Sequence, residues 1–249
     1  MVYFAHIDLG DQPWEGSRAS KLISEQLTET KDWGLAEKAK EFYVILTSPK
    51  QESLNVAEKT VNGIIQKAKV KTVLGNPFEQ PGLLRVWEIA REIPENERRD
   101  SVILYFHSKG MMNGDKNKVR TDANQNMTRV VIKPWKAVAE RFKRDPIVNK
   151  AGFSSSPDGF IWHNFWWVRA SYLMDSPRPA IVKRRHYYED WLCRRVTKPS
   201  NHDDVGEERG ASMKSANDCL SLCPKGADGE LGITIPGNLP DVPTCILGH

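Results

Sequence analysis

Glu189 and Asp190 stand side by side between Tyr188 and Trp191, near the end of the run RRHYYEDWLCRR. Upstream, GFIWHNFWWVRASYL crowds Trp162, Phe165, Trp166, Trp167 and Tyr172 around His163, Asn164 and Arg169. A purely structural strand would be richer in Val, Ile and Leu and would not need Asn and His in mid-run. Flat aromatic faces stack on sugar rings, fixed polar groups meet their hydroxyls, and a carboxylate can act as a base. These residue types together point to a cleft that handles carbohydrate. A third group, His107-Ser108-Lys109-Gly110, directly follows the apolar run SVILYF.

The surrounding pattern indicates how these groups are positioned. Strands are expected at Val2 to Ile7, Phe42 to Leu46, Val70 to Leu74 and Ser101 to Phe106, where short apolar runs meet turn residues. Helices are expected at Ser17 to Leu27, Leu35 to Lys40, Ser53 to Lys69, Gly82 to Arg91 (started by Pro81) and Thr128 to Phe142. Met111 to Asn126 reads as a polar loop, and Gly159 to Leu173 as an aromatic strand and turn. Alternating strands and helices imply an α/β fold with a doubly wound, mostly parallel central sheet flanked by helices. Ligands in such sheets bind at the carboxyl ends of strands, where His107, Ser108 and Lys109 fall. So do His6 and Asp8, at the end of the first strand.

The chain has 249 residues, 39% hydrophobic and 27% charged, with a net charge of +4. That is enough for one α/β domain over residues 1–198, followed by an irregular extension over 199–249 rich in Asn, Asp, Gly, Pro and Ser. The mild charge allows an anionic small molecule and does not argue for nucleic acid. No apolar run approaches the ~20 residues of a membrane span. The opening MVYFAHIDLGDQ lacks a basic n-region, so no signal peptide and a cytoplasmic location are expected. No G-x-x-x-x-G-K-[ST] appears, which disfavours a P-loop NTPase. Cys219 and Cys223 are spaced C-x3-C, and a zinc site would need His202 and Cys245 as further ligands.

The ordered set YFHSKG, NFWWVRASYL and YYEDWL resembles the glycosyltransferase domains encoded by large chlorella viruses, which have the GT-A nucleotide-sugar fold. The resemblance spans roughly Val2 to Arg195 and implies transfer of a sugar from a UDP-sugar donor to an oligosaccharide or glycoprotein acceptor, in the host cytoplasm if the chain is viral. It places His107, Ser108 and Lys109 where many such enzymes carry an Asp-x-Asp metal motif. That motif is missing after SVILYF. Two counter-charges for the diphosphate stay open: Lys109 itself, or Mn2+ or Mg2+ held by His107 with Asp8 or Asp115.

Inverting transfer needs a base, and Glu189 or Asp190 fits that role; the competing reading is an acid favoured by a helix N-terminus. His163, Asn164 and the Trp166-Trp167 pair are candidates for the acceptor or sugar pocket. Adjacent strand residues face opposite ways, so only one of the two tryptophans can face a cleft, and core packing is the plain alternative for each. Arg185, from the cluster Lys183-Arg184-Arg185-His186, is a candidate for the diphosphate, and Glu79 for donor hydroxyls. His6 and Asp8 are candidates for the uracil and ribose. A non-catalytic carbohydrate-binding module and a nucleotide-sugar hydrolase are the rival functions.

Overall fold

The structure, a computed structural model, describes residues 1–108, 122–153, 155–156, 160–182, 186–196, 211–213, 218–225 and 230–234. Four parallel strands form one half of an eight-stranded sheet: β1 (Val2–His6), β2 (Tyr43–Ser48), β3 (Lys69–Leu74) and β4 (Val102–His107). The other half is mixed and contains β5 (Lys150–Phe153), β6 (Trp166–Arg169), β9 (Cys219–Lys225) and β10 (Glu230–Thr234). The spatial order is β10-β9-β5-β6-β4-β1-β2-β3, with β6 antiparallel to both β4 and β5. A separate ribbon pairs β7 (Arg194–Val196) with β8 (Ala211–Met213).

Side chains alternate across each strand and supply two apolar layers. Tyr3, Ala5, Val44, Leu46, Leu104 and Phe106 face one layer. It is closed by α1 (Arg18–Asp32), α3 (Gln51–Ile64), α5 (Asp122–Val131) and α6 (Trp135–Arg144). Val2, Phe4, Ile45, Ile103 and Tyr105 face the other, closed mainly by α4 (Gln80–Glu92) and the turn Ser171–Asp175. The short α2 (Leu35–Lys38) adds Leu35 and Ala36 to the first layer. The expected α/β class with helices on both faces is therefore what forms.

Three departures from the sequence reading have local causes. The single helix expected over Thr128 to Phe142 is two, because Pro134 lacks an N–H and its ring crowds the preceding turn; Trp135 N instead donates to Ile132 O at 3.1 Å. α5 also begins inside the stretch expected to be loop. The expected irregular extension supplies β8, β9 and β10. β9 pairs in parallel with β5, so the main sheet crosses the expected boundary at residue 198. The buried Lys150 helps fix that docking. Its Nζ donates to Tyr172 Oη at 2.7 Å and lies 3.2 Å from Asp218 Oδ1, while Asn149 Nδ2 donates to Asp218 Oδ2 at 3.1 Å.

Candidate functional site

Walking outward from β1, the chain reaches β2 and β3 on one side and β4 on the other, so the connections reverse between β1 and β4. Beyond the carboxyl ends of these two strands is where an open α/β sheet leaves a crevice. Ser108 N donates to Phe4 O at 2.9 Å, which extends the pairing one residue past β4 and sets Ser108 beside the end of β1. Gln26, fully buried in α1, accepts from Tyr3 Oη at 2.9 Å and its amide reaches His107 O at 3.4 Å, tying α1 to both strands.

A cavity of about 180 Å³ opens at the end of β1, lined by His6, Asp8, Gln12, Ser17 and Arg18 among others. His6 Nδ1 is 2.9 Å from Thr47 Oγ1. Burial holds the His6 pKa below its ordinary value, with the nearby Asp8 opposing that shift. Asp8 is exposed, and its carboxylate accepts from Gly10 N at 3.2 Å.

The second part of the site is built around Glu79. α4 lies tight on the sheet at Gly82, where a Cβ would come within 2.9 Å of Phe4 Cβ and 3.0 Å of the Tyr105 ring. That close approach brings Glu79, the residue preceding α4, to Tyr105, whose hydroxyl donates to Glu79 Oε2 at 3.2 Å. Asn164 Nδ2 donates to the same oxygen at 2.8 Å and to Tyr188 O at 3.0 Å, while Asn164 Oδ1 accepts from Trp166 Nε1 at 3.3 Å. Burial first, and then the Glu79 charge, push the Tyr105 pKa far up, so its hydroxyl remains a donor. Glu79 Oε1 makes no hydrogen bond among the described residues and lies 4.0 Å from His107 Nε2. The Glu79 side chain keeps 21% of its exposure, so this oxygen can accept from a ligand.

His107 Nε2 is 2.9 Å from His163 O; a carbonyl only accepts, so this nitrogen carries the proton. The bend bearing His163 is unusual. Among the described residues the non-glycine positions with positive φ are Phe78 (52°), His163 (72°) and Asn164 (53°), and all three flank Glu79 or its partner amide. Asn and His tolerate this conformation better than most residues, but a bulky residue such as Phe78 rarely adopts it, and such strain concentrates at functional sites.

The paired tryptophans do not face a cleft. Trp166 is fully buried in one apolar layer, and Trp167 is buried in the other, with its Nε1 donating to Val131 O at 2.8 Å. The alternation expected from sequence holds, but β6 lies inside the sheet with both faces covered, so neither ring is open to a sugar. The exposed aromatics are Phe78 and Trp162, at 41% and 42%.

The acidic pair divides. Asp190, at the end of α7 (His186–Asp190), is held by Arg194 through two 2.8 Å hydrogen bonds, one to each carboxylate oxygen. Such a bidentate pair is a structural clamp. Glu189 is half-buried and adjoins Tyr188, whose carbonyl takes the Asn164 amide.

Lys109, Asp115, Lys183, Arg184, Arg185, His202 and Cys245 lie outside the described residues. Among the described residues no three His, Cys, Asp or Glu side chains gather as a metal site. Asp115, the alternative partner of His107 for Mn2+ or Mg2+, is one of the residues outside the described ones, and Asp8 lines the cavity at the end of β1. Burial pushes the Cys219 thiol up to about 11. Tyr105, Phe78, Gln12 and Arg18 join the site without having been singled out from sequence. No protein-family model matches the chain, and no curated protein is significantly similar to it.

Proposed function

We propose that this chain is a glycosyltransferase that moves a sugar from a UDP-sugar to a hydroxyl of an oligosaccharide or glycoprotein, acting in the cytoplasm. The observation that carries the reading is a fixed carboxylate beside the end of β4 with one accepting oxygen to spare; a small polar cavity opens beyond the end of the neighbouring β1. A mixed sheet flanked by helices on both faces is compatible with the GT-A architecture.

In this reading the cavity beside His6, Asp8, Gln12 and Arg18 takes the uracil and ribose. The diphosphate lies along the segment that begins at His107 and Ser108 and continues into Lys109. Glu79, held by Tyr105 and Asn164, orients a donor-sugar hydroxyl through Oε1. Glu189 is the base; it adjoins Tyr188, whose carbonyl takes the Asn164 amide. The acceptor oxygen attacks the anomeric carbon while its proton passes to the Glu189 carboxylate. The bond from that carbon to the diphosphate oxygen breaks, its electron pair leaves with UDP, and configuration inverts. No step is routed through a metal.

The test is release of UDP from a panel of UDP-sugars, measured with and without simple glycosides as acceptors. Acceptor-dependent release with a new glycosidic bond is the expected result. Free sugar formed regardless of acceptor identifies a hydrolase. Glycan binding with no affinity for any nucleotide identifies a binding module.

A further inference from the structure

We infer that Phe78 and Trp162 form the platform on which the acceptor sugar ring stacks; the inference rests on the transferase reading for the word acceptor, but not for the binding itself. Trp162 is the exposed member of the eight tryptophans, and Phe78 is exposed to a similar degree. Neither is an isolated surface residue. Phe78 is joined directly to Glu79, and Trp162 lies two residues before Asn164, while the Asn164 amide donates to Glu79 Oε2 at 2.8 Å. The two exposed rings are thus carried by the two segments that this hydrogen bond joins.

Each ring is also held in place. Phe78 packs against Tyr188 with ring centroids 6.0 Å apart, and Trp162 meets Phe160 edge-on at 4.7 Å. Phe78 keeps φ at 52°, although a bulky residue disfavours it; Asn76 Oδ1 accepts from Phe78 N at 3.2 Å and closes the turn that imposes it. The segment bearing Trp162 is set against β5 at Gly152, where a Cβ would come within 2.6 Å of Ile161 Cγ2 and of Phe165 O. Preorganised flat faces cost little entropy on binding. Glu79, joined directly to Phe78, offers Oε1 as an acceptor for a hydroxyl. Apolar ring faces next to a fixed acceptor match a pyranose, which presents C–H groups on its face and O–H groups at its rim.

The experiment follows tryptophan fluorescence and its quenching by acrylamide while methyl glycosides of glucose, galactose, mannose, xylose and N-acetylglucosamine are titrated, with UDP titrated separately. One or more glycosides are expected to shield Trp162 saturably. Trp162→Ala, read by calorimetry, and Phe78→Asn, read by either method, should weaken that binding about tenfold or more. Asn accepts positive φ, so Phe78→Asn should keep the fold intact, and unchanged UDP affinity in both variants serves as the control. Shielding by a glycoside supports the inference even if no nucleotide binds, in which case only the donor reading falls. UDP binding without any glycoside effect, shielding by UDP alone, or unchanged glycoside affinity in both variants overturns it.

Discussion

Asn164 Nδ2 donates to Glu79 Oε2 at 2.8 Å across 85 positions of sequence, joining the start of α4 to the bend that leads into β6. The same amide nitrogen donates to Tyr188 O, so one side chain binds three segments of the site. Asn is suited to the position twice over, by its hydrogen bonds and by its tolerance of a φ of 53°. Asn164→Ala should therefore cost about 3 kcal/mol in urea unfolding, combining lost buried hydrogen bonds with backbone strain. Asn164→Gly loses the same bonds but relieves the strain, and should be the more stable of the two variants. Equal or reversed stabilities would remove strain from the account.

The two neighbouring acids should separate cleanly. Glu189→Gln should lower turnover about a hundredfold or more while UDP binding persists, as expected for loss of a general base. Asp190→Asn should chiefly lower the melting temperature, because it breaks the paired contact with Arg194. Wild-type turnover in Glu189→Gln would show that the base lies elsewhere.

Lys150 and Asp218 make a further pair whose loss should be unequal. Lys150→Met leaves the Asp218 carboxylate without its buried partner and should cost about 3 kcal/mol, with faster proteolysis at the C-terminal strands. Adding Asp218→Asn to that variant should recover part of the loss, since no unpaired charge then remains. A double variant no more stable than Lys150→Met would contradict the ion-pair account.

His6 sets an acid-side dependence of stability. Its pKa is lowered in the folded chain from an ordinary 6.5, chiefly by burial. Above that value His6 is neutral in both states and imposes no penalty. As pH falls below it, the unfolded chain takes the proton first, so stability drops until the folded-state pKa is passed. His6→Gln should flatten this part of the profile in unfolding curves taken between pH 7.5 and 5. An unchanged profile would show that His6 does not contribute.

The first four strands are legible because each is a short apolar run, and β1, β2 and β4 are buried well enough for composition alone to reveal them. β5 is not, because KAGF carries a lysine whose burial makes sense only beside Tyr172 and Asp218. β9 hides for another reason: CLSLCPK lies in a stretch rich in Asn, Asp, Gly, Pro and Ser, and its place in the sheet is fixed by pairing with β5. Within the site, Glu79, His107 and Asn164 could be picked out as polar groups near strand ends. Tyr105 could not, since its hydroxyl finds Glu79 only once Gly82 lets α4 sit close to the sheet. For the tryptophan pair the limit is the converse one, and core packing, the plain alternative, is what forms. Alternation is a local property of the strand, but whether a face is open depends on which layers cover it.

The central claim, that the crevice between β1 and β4 holds a nucleoside diphosphate, is tested most directly by thermal unfolding of the whole chain with UDP and GDP, each with and without Mn2+, alongside Arg18→Ala. UDP at a hundredfold excess over its Kd should raise the Tm by about 5 °C or more. The rise should be larger than with GDP, persist without Mn2+ and shrink in Arg18→Ala. No rise with either nucleotide under any of these conditions would contradict the account.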